Sequence, residues 1–358
     1  MVHRAALAAE RLMAKRKRKP AVDPAASALP ASVRTEIAEA LMLSEEPVRI
    51  ARRLQARGLP ERKVEAEIEA ARKHPYLAGA ERLRARVRKR DWLLRNVGQL
   101  AALRMQDRTI PRLRDLSPEA FFRDYYAANL PVVLEGMIDN WPAMSRWSLD
   151  YLEERLGDVP ISIQNNRESA PDYEPRTEEF RETQPLPQVI ERLRSGGPTN
   201  DFYVTANNSP VNKQSLAPLW EDVGELPGFL ARQEERDGFF WMGPQGTITP
   251  FHHDLTNNLL VQIDGRKRVI MVPSWDTPGM KNYMHCYSEW TGEDFADGLS
   301  IPGRPQPWKV DIGPGDMLFI PIGWWHHVEG LSTTIGMSFT NFARDNDFYS
   351  KYDANSPL

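Results

Sequence analysis

The chain has 358 residues, 41% of them hydrophobic, with 46 Lys/Arg against 49 Asp/Glu and a single cysteine. That length and apolar content make a soluble, globular protein with one large domain plus an appendage the expectation. The lone Cys286 excludes an intramolecular disulfide and any cysteine-based zinc or iron–sulfur site, and no apolar run approaches the roughly 18 residues of a membrane helix. Arg4, Glu10 and Arg11 interrupt any secretory apolar stretch, so a cytoplasmic location is expected. The near-neutral total of −3 conceals two unlike parts. Residues 1–112 carry 26 Lys/Arg and 13 Asp/Glu, net +13, whereas residues 113–358 carry 20 and 36, net −16.

Residues 1–31 combine the basic run Lys15 to Lys19 with an Ala/Pro-rich stretch and are expected to form a disordered arm. Residues 32–110 read as a basic helical module for dimerisation or substrate docking. A first helix carries Ile37, Ala40 and Leu41, and a second, with Ser44 as its expected cap, carries Val48, Ile50, Ala51 and Leu54 and ends at Gly58. A third opens at Leu59-Pro60 and breaks at His74-Pro75, and a fourth runs from about Ala78 to Met105.

Residues 111–358 change texture to short apolar segments bounded by Pro, Gly, Asn and Asp. After helices capped by Ser117 and Ser148, strands are expected around Pro131–Leu134, Phe202–Val204, Leu259–Ile263, Lys267–Pro273, Met317–Ile322 and Ile335–Phe342. The fold class that follows is mainly β: a double-stranded β-helix, or jelly-roll, core with flanking helices, plus the all-α N-terminal module.

Two stretches hold four of the seven histidines: Thr249-Pro250-Phe251-His252-His253-Asp254, and Pro321 to Val328 with Trp324-Trp325-His326-His327. In an extended strand, residues two apart share a face, so His252 and Asp254 point one way and His253 the other. A histidine from the second stretch completes two imidazoles and a carboxylate. That set leaves about three coordination positions open and is the signature of non-haem Fe(II) oxygenases.

Together with Asn257-Asn258, the Gln262 to Arg268 word and Gly315-Asp316, these motifs resemble the JmjC/cupin-like family of Fe(II)- and 2-oxoglutarate-dependent oxygenases. The resemblance runs from roughly residue 113 to 345. The nearest pattern is that of the asparaginyl hydroxylase which inhibits the hypoxia-inducible factor, together with bacterial cupin-like relatives. The resemblance implies that His252, Asp254 and His326 bind Fe(II). It also implies that Lys267 pairs with the distal carboxylate of 2-oxoglutarate, helped by Tyr203 and Thr249, and that Asn258 and Asn341 approach its metal-bound end. The implied reaction consumes O2 and 2-oxoglutarate, releases succinate and CO2, and hydroxylates a C–H bond. Trp241, Phe251, Leu260, Trp324 and Trp325 are candidates for the apolar walls of such a site.

A protein or peptide side chain is the expected substrate, in a homodimer. The alternatives are the same chemistry on a small molecule or an RNA base, and a non-catalytic cupin-fold regulator whose basic helices grip nucleic acid. Glu65, Glu67 and Glu69 argue against nucleic acid on the helices. Two residues after Asn341 the asparaginyl hydroxylase has a bulky aromatic, whereas Ala343 stands here, so its target residue does not carry over.

Overall fold

The structure, a computed structural model, describes residues 29–104, 108–205, 209–232 and 238–352. The arm expected over residues 1–31 lies outside the described residues except for its last three. The chain divides into two compact units between Leu93 and Leu94.

The first unit is helical. Helices α1 (Ala31–Met42), α2 (Pro47–Ala56) and α3 (Glu61–Lys73) each bury one face: Val33, Ile37 and Leu41 on α1, Ile50 and Leu54 on α2, Val64 and Ile68 on α3. That apolar spacing of three to four residues is what an amphipathic helix requires. Ser44 does not cap α2. It adopts left-handed backbone (φ 64°) and its hydroxyl accepts from Arg88, while α2 starts at Pro47, whose ring pre-sets helical φ where no N–H is needed. The fourth helix, α4 (Pro75–Arg104), crosses the division between the units.

The second unit is built on two six-stranded sheets. The first runs in the order β1 (Arg112–Arg114), β2 (Val132–Glu135), β13 (Asp316–Ile320), β8 (Asn258–Asp264), β15 (Thr334–Phe339), β6 (Phe239–Gly243). The second runs β10 (Asn282–Met284), β11 (Tyr287–Ser288), β7 (Ile248–His253), β14 (Trp325–Gly330), β9 (Lys267–Val272), β12 (Trp308–Ile312). A three-stranded sheet, β4 (Arg181–Pro185), β3 (Pro160–Asn165) and β5 (Phe202–Tyr203), lies beside them. Apart from the parallel β1–β2 pair, all pairings are antiparallel.

Side-chain parity explains why β13 reads as an unbroken apolar run. Leu318 and Ile320 face Val269, Met271 and Trp324 between the sheets, whereas Met317 and Phe319 pack outward with Phe121, Phe202 and Val261. A strand covered on both faces has no polar alternation to display. The outer face of the second sheet buries Phe251, Ile270 and Trp325 under Met280, Trp290 and Phe295. The segment from Pro273 to Gly313 thus supplies both β10, β11 and β12 to this sheet and, through Met280, Trp290 and Phe295, a cover for its outer face.

Candidate metal centre and its pocket

β7 and β14 pair so that His326 lies directly opposite His252. The ring centroids are 4.2 Å apart. Asp254 follows β7 by one residue, and the ligand atoms of His252, Asp254 and His326 all lie within 4.8 Å of one another. The separations of 3.6 Å from His252 Nε2 to Asp254 Oδ1, and 3.8 Å from His326 Nε2 to Asp254 Oδ2, are too long for hydrogen bonds. The three groups face a common point rather than bonding to each other.

The backbone fixes which nitrogen each imidazole presents. His252 Nδ1 lies 2.9 Å from the carbonyl of Pro250, and His326 Nδ1 lies 3.0 Å from that of Trp324. A carbonyl can only accept, so both Nδ1 atoms carry the proton and both Nε2 lone pairs point inward. Metal-binding histidines are oriented this way in general. Burial, then the neighbouring His252, pushes His326 down to about 4, so its imidazole is neutral at ordinary pH. Burial opposes ionisation of Asp254, but His326, His252 and the Asn258 amide overcome it and hold the carboxyl well below the usual range. His252 is shifted the other way: burial lowers it, but Asp254 outweighs burial and raises its imidazole above the ordinary range. A divalent iron in place of the His252 Nε2 proton would leave two neutral imidazoles and an ionised carboxylate, a donor set that fits it.

β11 pairs with β7 only at His252, and the earlier part of that edge is closed by side chains instead of a strand. The N–H of Ile248 donates to Asn200, and its carbonyl accepts from both Arg167 and Tyr173. Arg167 is fully buried and lies over the rings of Tyr173 and Tyr203, 4.3 and 5.2 Å from their centroids. Next along the strand, Pro250 has no N–H and gives its carbonyl to His252. This clamp ties the strand that carries His252 to the small sheet that carries Tyr203, and nothing in the local pattern around Arg167 or Asn200 announced it.

A cavity of about 240 Å³ opens from the three groups. Lys267 lines it with Tyr203, Thr249 and Asn258, and Trp241, Leu260, Ile320 and Val328 supply apolar walls. The Asp264-Gly265 turn delivers Lys267: Gly265 has φ 73°, and a Cβ there would meet the Thr333 carbonyl at 2.0 Å, so only glycine fits. Gly243 likewise leaves room for the Tyr203 ring, which a Cβ would touch at 2.5 Å. Lys267 is 2% exposed, and burial alone lowers its ammonium to about 8. Its one hydrogen-bond partner among the described residues is the Tyr203 hydroxyl at 3.4 Å, with no carboxylate. Asn258 donates to Asp254 Oδ2 at 3.0 Å, and its own Oδ1 is buried without a partner. A buried cation with no carboxylate partner among the described residues fits a small carboxylate ligand such as 2-oxoglutarate; the Asn258 oxygen, an acceptor, adds nothing to that fit.

Eight sequence-derived positions can thus be placed. His252, Asp254, His326, Tyr203, Thr249, Asn258 and Lys267 line one pocket, and Asn341 does not. Ser338 and Thr340 reach that pocket from the same chain segment. Asn341 has the opposite parity and lines a second cavity with Phe339, its amide donating to Ala231. Of the proposed aromatic walls, Trp241 and Leu260 line the pocket, whereas Phe251 and Trp325 face outward from the second sheet and Trp324 packs between the sheets. His327 packs on the outward-facing Phe251, and His253 on Trp325. Phe239, Thr256, Ile320 and Val328 also line the pocket. Strand parity would have found Val328, two residues from His326.

Residues 118–347 match the profile of the cupin-like domain family. Lysine-specific demethylase JMJ30 of Arabidopsis thaliana is 31% identical over 242 residues, covering 63% of this chain and 52% of that protein. Lysine-specific demethylase 8 of Xenopus tropicalis is 28% identical over 251 residues, covering 64% and 52%. tRNA wybutosine-synthesizing protein 5 of Homo sapiens is 26% identical over 264 residues, covering 68% and 81%. The chain spans about half the length of the two demethylases. The chain belongs to the cupin-like, JmjC family of Fe(II)- and 2-oxoglutarate-dependent oxygenases.

Proposed function

We propose that this protein uses Fe(II) and 2-oxoglutarate to hydroxylate a side chain of a protein or peptide. The observation that carries the reading is the pairing, in one pocket, of the His252–Asp254–His326 set with a buried Lys267 that has no carboxylate partner. In this reading His252 and His326 offer neutral Nε2 donors to iron, and Asp254 offers the anionic one. Lys267 holds the distal carboxylate of the keto-acid, with the hydroxyls of Tyr203 and Thr249 as further donors. Asn258 fixes the Asp254 carboxylate and presents its other amide atom to the pocket. Trp241, Leu260, Ile320 and Val328 exclude water from the space between the two ends. Iron with 2-oxoglutarate and O2 supplies the oxidation of a C–H bond, with succinate and CO2 as co-products.

A protein target is favoured over RNA by charge. Residues 113–358 carry net −16, which repels a phosphate backbone and attracts a basic peptide. Hydroxylation of an N-methyl group would make the same chemistry a demethylation. We assign residues 111–358 to catalysis and residues 32–110 to dimerisation or substrate docking, in a cytoplasmic homodimer that light scattering can test. No described helix is long and apolar enough to cross a membrane.

The test is succinate formation that requires both Fe(II) and 2-oxoglutarate, followed by mass spectrometry of peptide and nucleoside fractions. A product heavier by one oxygen atom in the peptide fraction supports the reading; the same gain in nucleosides moves the substrate to RNA. Failure to bind either iron or 2-oxoglutarate would falsify it.

A further inference from the structure

The word Asn257-Asn258 contributes its second residue to the pocket, and the first faces elsewhere. Asn257 is 2% exposed and meets Asn346, beyond the last strand, in a reciprocal amide pair. Its backbone N–H and its Nδ2 both donate to Asn346 Oδ1 at 2.9 Å. Asn346 Nδ2 donates back to the Asn257 carbonyl at 3.0 Å and to the Thr340 carbonyl at 2.7 Å. The remaining atom, Asn257 Oδ1, accepts from the N–H of Ile322 at 2.8 Å. Tyr126 steadies the far side, its hydroxyl donating to the Asp345 carbonyl at 2.8 Å and lying 3.1 Å from Asn346 Oδ1.

Each of the three segments joined in this way carries pocket residues. Asn257 stands between Asp254 and Asn258, Thr340 lines the cavity, and Ile322 begins the turn that leads through Trp324 to His326. Asn258 then holds the Asp254 carboxylate. The ladders end on either side of these segments, β7 with β14 at His253 and Trp325, and β8 with β13 at Asn258 and Ile320. Between those ends one long backbone bond, from the Gly323 N–H to the Asp254 carbonyl at 3.4 Å, is joined by the side-chain bracket.

We infer that the Asn257–Asn346 amide pair is a positioning device of the metal centre, holding the loop that carries Asp254 against the turn that leads into His326 on β14. Neither asparagine touches the metal position. The inference rests on the reading of His252, Asp254 and His326 as metal ligands, and goes beyond it by assigning a function to two residues outside the pocket. Loosening the bracket frees the Asp254 loop to move while β7 and β9 hold His326 in place, so the site loses preorganisation rather than a ligand.

The experiment is titration of the full chain with Co(II), read by its d–d absorption, with wild type, Asn346→Ala and Asn346→Asp. Asn346→Asp keeps the shape and the acceptor while losing both donors. Both variants are expected to bind Co(II) at least about tenfold more weakly. Both are also expected to show an altered spectrum at saturation with wild-type circular dichroism. A purely stabilising role would lower the melting temperature and leave the saturated spectrum unchanged. Wild-type affinity and spectrum in a folded variant overturn the inference alone, and if Asn346→Ala does not fold, Asn346→Asp decides. A wild-type chain that binds no Co(II) overturns both this inference and the proposed function.

Discussion

The two ends of the 240 Å³ pocket solve opposite electrostatic problems. At one end, the half-buried Asp254 is an anion with two imidazoles and an amide around it and both imidazole Nδ1 atoms already bound to backbone carbonyls. That carboxylate raises His252 above the ordinary imidazole range, so this end draws positive charge, and a metal cation can take the place of the proton. At the other end, Lys267 is buried as a cation with a phenol and an indole ring near it and no counter-charge. There an anion completes the site. The contrast teaches that one end gathers a cation and the other an anion, and that the buried Lys267, with no carboxylate partner among the described residues, costs stability that a bound carboxylate would relieve.

The largest expected effect breaks the first end. Asp254→Asn keeps the shape and removes the anion, and metal affinity should fall by more than the roughly 10–100-fold typical of losing an outer partner of a ligand. Isothermal titration with Mn(II) checks this; near-wild-type affinity would remove Asp254 from the metal site.

Breaking the second end should separate binding from stability. Lys267→Met should weaken 2-oxoglutarate by roughly 2–5 kcal/mol, the usual cost of truncating one partner of a buried charge pair. The ligand-free variant should meanwhile unfold at higher denaturant than wild type, by on the order of 2 kcal/mol, because a desolvated ammonium disappears. Denaturant melts and binding isotherms on the same preparation give both signs. A variant that loses stability would show that Lys267 is paired in the ligand-free protein.

The pH dependence of the same end is smaller and graded. Lys267 titrates at about 8 in the folded chain, against an ordinary value near 10.4 in the unfolded chain. Above about 8 the folded protein sheds a proton that the unfolded chain keeps, so this lysine makes stability rise with pH up to about 10.4, by up to ~1.4 kcal/mol per unit. A carboxylate ligand needs the ammonium, so the apparent affinity for 2-oxoglutarate should fall about tenfold per pH unit above 8 and stay flat just below it. A flat profile through pH 9 would place the ammonium's pKa higher than burial alone sets it.

The mildest change is Tyr203→Phe. It removes one neutral hydroxyl from the lysine end and should cost about 0.5–1.5 kcal/mol in 2-oxoglutarate affinity, with metal binding unchanged. A change in metal affinity would mean that the two ends are coupled through the Arg167 clamp on β7.

Much of this pocket was legible because its residues obey local rules. His252 and Asp254 are two apart at the end of one strand, and Gly265 marks the turn that presents Lys267. Asn258 follows from the family resemblance and not from parity. β7 ends at His253 and Asn258 opens β8 in the other sheet, so no continuous strand relates them. Asn341 shows the converse. It follows the end of β15 one residue away from Thr340, and that single step turns its side chain to the second cavity.

The sequence by itself determined the helical module's amphipathic faces, the mainly β character of the rest, the His252-x-Asp254 pair and the turn before Lys267. Each depends on neighbours within about four residues, where backbone geometry alone relates side chains. Tertiary structure decided that His326 stands opposite His252 while His327 turns outward, that Lys267 is buried without a carboxylate, that Arg167 closes the edge of β7, and that Asn346 brackets Asn257. These relations join residues many tens of positions apart. They are fixed by strand register and sheet-on-sheet packing, which no local periodicity encodes.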